Sequence, residues 1–258
     1  IVNYRQVSEK FADIIREHGG EILLQTEVED VNEADDYVHL DTNQTTIKAR
    51  LAINCGGLHS DRIALAAGYQ TDMKIVPFRG EYYKLKREKR HLVKHLIYPV
   101  PNPDFPFLGV HYTRMINGDV EAGPNAVLSF KREGYHKTDF NVKDFGEIMG
   151  YKGFWKLASK YMKEGIEEMV RSVSKEKFVK SLQQLIPEVT SEDLMVAPAG
   201  VRAQALLSDG SLVDDFHIIK GNRSIHVCNA PSPAATASLV IGEEIVNRIE
   251  KNNVIVTQ

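Results

Sequence analysis

The stretch Leu51-Ala52-Ile53-Asn54-Cys55-Gly56-Gly57-Leu58-His59-Ser60-Asp61-Arg62 is an apolar run that stops at a glycine pair and restarts as a helix. Glycine adopts φ > 0 and lets an anion approach the backbone, while Ser60 or Asp61 can cap a helix whose first N–H groups point at that anion. The same pattern serves an ordinary strand-to-helix turn. A second segment, from His226 to Val246, repeats it as a short strand, a small-residue loop over 229–238 and a helix. Pro231, Ser232, Ala234, Ala235 and Thr236 leave room for a flat ligand against the backbone, and equally suit a proline-rich loop before a surface helix. His111 titrates near neutrality and alternates with apolar Val110, which makes it a candidate general base. His59, directly after the glycine pair, is its rival. Arg79 sits mid-strand in Phe78-Arg79-Gly80-Glu81-Tyr82, where an inward guanidinium needs a partner, either a bound ligand or a carboxylate such as Glu81. Tyr82, Tyr98 and Asn125 offer hydrogen-bond donors, although strand tyrosines are usually core residues with a satisfied hydroxyl. His91, His95 and His136 sit in polar stretches and read as solvated.

These residues need elements to position them. Val7, Phe11, Ile14 and Ile15 share one helical face that ends at His18-Gly19-Gly20, and 21–31 reads as a strand. Strands over 37–40 and 45–53 flank the turn Asp41-Thr42-Asn43-Gln44, the second running into the glycine pair, and a helix over 60–67 closes at Gly68. From Lys74 to Phe130 short strands at 79–85, 96–100, 108–112 and 119–124 predict an antiparallel sheet, with a rigid loop at Pro101-Asn102-Pro103-Asp104-Phe105-Pro106. Residues 144–186 read as helical, with Phe154, Leu157, Ala158, Tyr161, Met162, Met169, Val170 and Val173 as packing residues near Trp155. Thr190-Ser191-Glu192-Asp193 has capping-box spacing, and strands at 196–204, 215–219 and 224–228 precede a final helix over 238–251. The expected class is α+β. An α/β portion from 1–73 and 196–258 flanks an antiparallel-sheet domain over 74–195 with a helical insert at 144–186.

A chain of 258 residues with 43% apolar residues, mean hydropathy −0.28 and net charge −3 can bury a real core and has no basic field for nucleic acid. No apolar run approaches the roughly 20 residues that span a bilayer. Cys55 and Cys228 sit beside the two loops without metal-ligand spacing, and read as buried thiols in a reducing compartment.

Seven motifs carry a resemblance over nearly the whole chain. They are Gln25-Thr26-Glu27-Val28; Asn54 to Asp61; Pro77-Phe78-Arg79-Gly80-Glu81-Tyr82-Tyr83; Gly109-Val110-His111-Tyr112-Thr113-Arg114; Gly123-Pro124-Asn125-Ala126; Ala199-Gly200-Val201-Arg202-Ala203-Gln204; and the loop 229–236. Together they resemble the FAD-dependent oxidoreductases related to glycine oxidase and D-amino-acid oxidase, and several resemble the branch that acts on L-2-hydroxyglutarate. The resemblance implies oxidation of that 2-hydroxy acid to 2-oxoglutarate, a hydride leaving for flavin N5 while a base such as His111 takes the hydroxyl proton. It assigns FAD to the Val28 backbone (adenine), Gly56 and Gly57 (nucleotide) and 231–236 (flavin and ribityl chain), with His59 as a further contact. It makes Arg202 the carboxylate clamp, with Arg79 as a second cation for a dicarboxylate and Tyr98 and Asn125 as further substrate contacts. An amino-acid or amine oxidase and a non-catalytic binding fragment are the alternatives. The family's G-x-G-x-x-G is absent and the chain opens at Ile1. We therefore expect a fragment without the N-terminal dinucleotide motif, which binds FAD weakly if at all and exposes a sheet edge suited to self-association. A cytoplasmic protein is expected, with peripheral contact to the inner membrane if a quinone reoxidises the flavin.

Overall fold

The computed structural model describes residues 1–100, 109–230 and 233–251. In chain order its elements are α1 (Tyr4–Glu17), β1 (Val28–Glu33), β2 (Val38–Thr42), β3 (Thr46–Ala49), β4 (Ala52–Asn54), α2 (Ser60–Ala66), β5 (Met73–Leu85), β6 (His111–Arg114), β7 (Val120–Leu128), α3 (Val142–Met149), α4 (Lys152–Lys160), α5 (Met162–Val173) and α6 (Lys175–Gln183). They continue with β8 (Leu194–Val196), β9 (Gly200–Leu207), β10 (His217–Lys220), β11 (Ser224–Asn229) and α7 (Ser238–Lys251). The chain divides into two compact units, residues 1–3 with 76–203 and residues 4–75 with 204–258. The mixture of helices with antiparallel and mixed sheets is α+β.

The second of these units holds both glycine-type loops. Its central sheet has the order β10-β11-β4, with β11 parallel to β4 and antiparallel to β10. All of β11 except Asn229 is buried, and Ile225 and Val227 pack against Ile245 and Ile249 of α7. Each such aliphatic side chain contributes about 1.5–3 kcal/mol. The meander β1-β2-β3 forms a separate antiparallel sheet. The run expected as one strand at 45–53 is thus cut into β3 and β4, which belong to different sheets. The strand expected at 21–31 begins only at Val28. Ahead of it Gln25 takes φ +57, its carbonyl accepts from the Asn43 and Gln44 side chains, and Leu23 and Leu24 are exposed. Among the described residues no strand pairs with this backbone, which takes side-chain donors instead. Helix α1 carries the expected apolar face, yet buries none of its residues.

The other unit is built on a five-stranded sheet of order β6-β7-β5-β8, with β9 beside β5. Its core joins Leu85, Tyr112, Val120 and Ala122 of the sheet to Phe178, Val179 and Leu182 of α6. Strand β5 is longer than the expected 79–85, and the segment expected as a strand at 96–100 keeps only one bridge, Ile97 to Tyr112. The proline-rich loop at 101–106 lies outside the described residues. The helical insert is present, but its packing differs from expectation: Leu157 is buried, whereas Trp155, Met162, Met169 and Val173 are exposed. Tyr161, at φ −116, interrupts the helix between α4 and α5. Helix α5 then turns its polar residues toward the sheet. Asn125 Nδ2 donates to the Glu168 carbonyl at 2.9 Å, the Ala126 N–H to Glu168 Oε2 at 3.0 Å, and Ser172 Oγ to Glu81 Oε1 at 2.9 Å. Thr190 and Asp193 form the expected capping box ahead of a short 3-10 turn. Cys228 is buried and its thiol is pushed up to about 12, chiefly by burial, but Cys55 is exposed, contrary to the expectation of two buried thiols.

Candidate functional site

The candidate cofactor residues all fall in the unit of residues 4–75 and 204–258. After β4 the chain makes a turn at Gly56-Gly57 that leads through a 3-10 helix, Gly57–His59, into α2. Gly57 has φ +53, and a Cβ there would meet nothing within 4 Å, so its backbone faces open space. Gly56 is closed in: a Cβ would lie 2.7 Å from Ile63 Cδ1 and 3.0 Å from Asn54 Oδ1. The turn therefore offers one open, left-handed backbone face on a rigid base, a cradle that suits close approach of a nucleotide. The expected capping by Ser60 or Asp61 does not occur. His59 is the N-cap without a side-chain bond, Ser60 Oγ donates to the carbonyls of Gly57 and Cys228, and Asp61 accepts from the N–H groups of Arg62 and Ile75. Val28 opens β1 and is half-buried, as is His59. Ala234, Ala235 and Thr236 are exposed before α7, with Thr236 Oγ1 donating to the Pro233 carbonyl at 2.9 Å. Pro231 and Ser232 lie outside the described residues.

The candidate substrate residues fall in the unit containing 76–203, and its sheet divides them between two faces. On the face turned to α5, Arg79 is 7% exposed, with Nη2 2.9 Å and Nε 3.3 Å from Glu81 Oε1 and Nη1 donating to the His136 carbonyl at 3.0 Å. Lys137 adds a second cation 3.4 Å from Glu81 Oε2. Asn125, opposite Glu81 in the ladder and 1% exposed, accepts from Arg171 Nε at 3.3 Å while donating to α5. Arg171 also pairs with Glu168, whose carboxyl is raised by burial against the pull of Arg171. Arg79 and Asn125 are thereby engaged in holding α5 on the sheet.

Alternation puts Tyr82 on the other face. Burial raises its phenol, with Glu121 adding to the rise and Arg202 opposing it, so the hydroxyl stays protonated beside a guanidinium. Tyr98, which also bears on Tyr82, stacks on His111 with ring centroids 4.6 Å apart. His111 Nδ1 lies 3.1 Å from the Gly109 carbonyl, an acceptor only, so Nδ1 carries the proton and Nε2 keeps its lone pair. Burial holds this imidazole below the ordinary histidine value. Arg202, Tyr82, Tyr98 and His111 thus gather a cation, two phenols and a neutral base, which suits a small carboxylate bearing a removable proton. Arg79 lies on the opposite face, which separates the two cations that sequence reading joined in one clamp. The groups missed by sequence reading are Glu121 here and, behind the glycine turn, Asn54, His226, Ser224, Glu33 and Tyr69. Asn54 directly precedes Cys55-Gly56-Gly57, and that position was the available signal.

The chain belongs to the FAD dependent oxidoreductases: the model of that family, DAO, matches residues 1–248. Among curated relatives it is 51% identical over 243 residues to the L-2-hydroxyglutarate dehydrogenase of Indibacter alkaliphilus, covering 94% of this chain and 61% of that protein. It is 45% identical over 251 residues to the Escherichia coli K12 protein of that name, covering 97% and 60%. Against the mitochondrial one of Homo sapiens it is 44% identical over 268 residues, covering 97% and 58%. The chain therefore spans about three fifths of the length of these relatives. Solved structures share the fold at low identity. They include L-alpha-glycerophosphate oxidase from Mycoplasma pneumoniae (TM-score 0.64, 18% identity, 91% of this chain and 53% of that one) and glycine oxidase from Bacillus cereus (0.58, 12%, 94% and 55%). Among the described residues no helix is long and apolar enough to cross a membrane.

Proposed function

We propose that the protein carrying this chain oxidises L-2-hydroxyglutarate to 2-oxoglutarate with FAD. The observation that carries the reading is the 44–51% identity to curated L-2-hydroxyglutarate dehydrogenases over nearly all of the chain. FAD, when bound, supplies the two-electron sink. The Gly56-Gly57 turn, the Val28 backbone, His59 and the small residues at 231–236 would hold it. The open face of Gly57 supports that assignment.

Arg202 binds the C1 carboxylate, its planar fork matching two oxygens. The Tyr82 hydroxyl, kept protonated by burial, donates to the same end of the substrate. His111 Nε2 accepts the C2 hydroxyl proton. The bond from Nδ1 to the Gly109 carbonyl fixes that tautomer, and burial keeps the ring neutral at pH 7. Tyr98, stacked on His111, holds the ring plane. Arg79 and Asn125 serve the reaction indirectly, by seating α5. Anaerobic addition of L-2-hydroxyglutarate to the FAD-loaded protein tests the reading. Bleaching of the flavin absorbance with stoichiometric 2-oxoglutarate is expected. A flavin that stays oxidised with this acid and bleaches with an amino acid sinks it in favour of the amine-oxidase alternative. Contact with a quinone at a membrane surface, and self-association, are further proposals about the same protein.

A further inference from the structure

Behind the Gly56-Gly57 turn lies a buried polar chain that the proposed reaction does not use. Asn54 Oδ1 accepts from the Gly56 N–H at 2.9 Å, while Asn54 Nδ2 donates to the Ser60 carbonyl at 2.8 Å and lies 3.1 Å from His226 Nδ1. His226 Nε2 is 2.7 Å from Ser224 Oγ, and Ser224 Oγ in turn donates to Glu33 Oε1. Glu33 Oε2 accepts from the Tyr69 hydroxyl at 2.9 Å and from the N–H groups of Asn222 and Arg223 at 2.9 and 3.0 Å. Ser224 is 0%, His226 1% and Asn54 7% exposed.

The donors and acceptors leave one consistent arrangement. Burial raises the Glu33 carboxyl, but the bonds from Ser224, Arg223, Tyr69 and Asn222 outweigh it, so Glu33 is an anion and only accepts. The Ser224 hydroxyl must give it a proton and therefore accepts from His226, which places the imidazole proton on Nε2. The Nδ1 lone pair then accepts from Asn54, whose oxygen is thereby committed to Gly56. A second proton on His226 would set N–H against N–H. Asn54 could face the imidazolium only by rotating its amide, which would withdraw Oδ1 from Gly56 and Nδ2 from the Ser60 carbonyl together.

We propose that neutral His226 is a positioning residue for the Gly56-Gly57 turn, acting through Asn54, so that retention of the FAD nucleotide depends on an imidazole held behind the turn. This rests on the reading that the turn holds the nucleotide. Burial keeps the imidazole below the ordinary histidine value, against the attraction of Glu33. Glu33 from β1 is the charge that bears on it, and Tyr69, after α2, lies against the ring with centroids 5.4 Å apart. Asn54 of β4 and Ile219 of β10 face it from the neighbouring strands without charge, and Asp61 of α2 bears on Cys228 instead.

The test follows the Gly56 and Gly57 amides and the His226 ring nitrogens by NMR from about pH 8 to 5. The Nε2–H tautomer is expected at neutral pH, and the Gly56 amide should shift with the same midpoint as the imidazole. Asn54→Asp, which favours the imidazolium, should raise both midpoints together, and His226→Gln should leave the Gly56 amide flat. FAD affinity, read by flavin fluorescence, should fall about tenfold in Asn54→Leu at neutral pH, because that side chain takes the acceptor away from the Gly56 N–H. An Nδ1–H tautomer, or a Gly56 amide that titrates without regard to His226, overturns the positioning role. Unchanged FAD affinity in a variant whose Gly56 amide has moved overturns the link to the cofactor. If the parent protein takes up no FAD at any pH, the cofactor reading itself fails, and the NMR midpoints still decide the coupling.

Discussion

In the proposed reaction Arg202 holds charge and His111 moves a proton, and each makes a separable prediction. Arg202→Lys keeps the charge and loses the planar fork, so kcat/KM for L-2-hydroxyglutarate should fall about 100-fold with the pH profile unchanged. His111→Ala should lower kcat by about 10²–10⁴-fold. Because the proposed base is the neutral ring and burial lowers its pKa, activity of the parent should fall as pH drops through a value below 6.5, and that acid limb should vanish in the variant. Steady-state rates across pH check both. What the sequence made legible was placement: alternation put His111 on a strand, and the motif put Arg202 on another. Arg79 was only half legible. The two-residue spacing placed it on one face with Glu81, but residue types along β5 say nothing about which element covers that face.

At the scale of elements, α5 shows why. Met162, Ile166, Met169 and Val173 recur at helical spacing, and such a stripe ordinarily faces the core. Here the opposite side carries Glu168, Arg171 and Ser172 into hydrogen bonds with Asn125, Ala126 and Glu81, and the stripe is left exposed. Periodicity finds the helix but cannot weigh an apolar face against a polar one that meets complementary buried partners. Glu168→Ala strands the Ala126 N–H and removes the carboxylate partner of Arg171, so the unit should lose about 1–3 kcal/mol, read as a lower urea midpoint. The strand expected at 21–31 failed for a related reason, since β-propensity is realised only where a neighbouring strand supplies partners.

For the whole molecule, two histidines set the response to acid. Both His111 and His226 have lowered values in the folded state, so unfolding takes up protons below the ordinary value of 6.5. Stability from these groups is complete above that pH and is lost as pH falls through their folded values. Thermal midpoints measured from about pH 7.5 to 5 should therefore decline, and His226→Gln should remove part of the slope.

The pairing of β4 with β11 also constrains how the chain can be made. Asn54 and His226 meet across 172 residues of sequence, and residues 76–203 of the other unit are spelled out between them. During synthesis β4 waits for its parallel partner until the ribosome has passed residue 229, whereas the five-stranded sheet encoded between them has all its strands by residue 207. We expect the sheet of β10, β11 and β4 to close after the five-stranded one. A stop codon shortly after 207 should leave the five-stranded sheet folded and the β4 segment protease-sensitive, a product that limited proteolysis of nascent chains would detect.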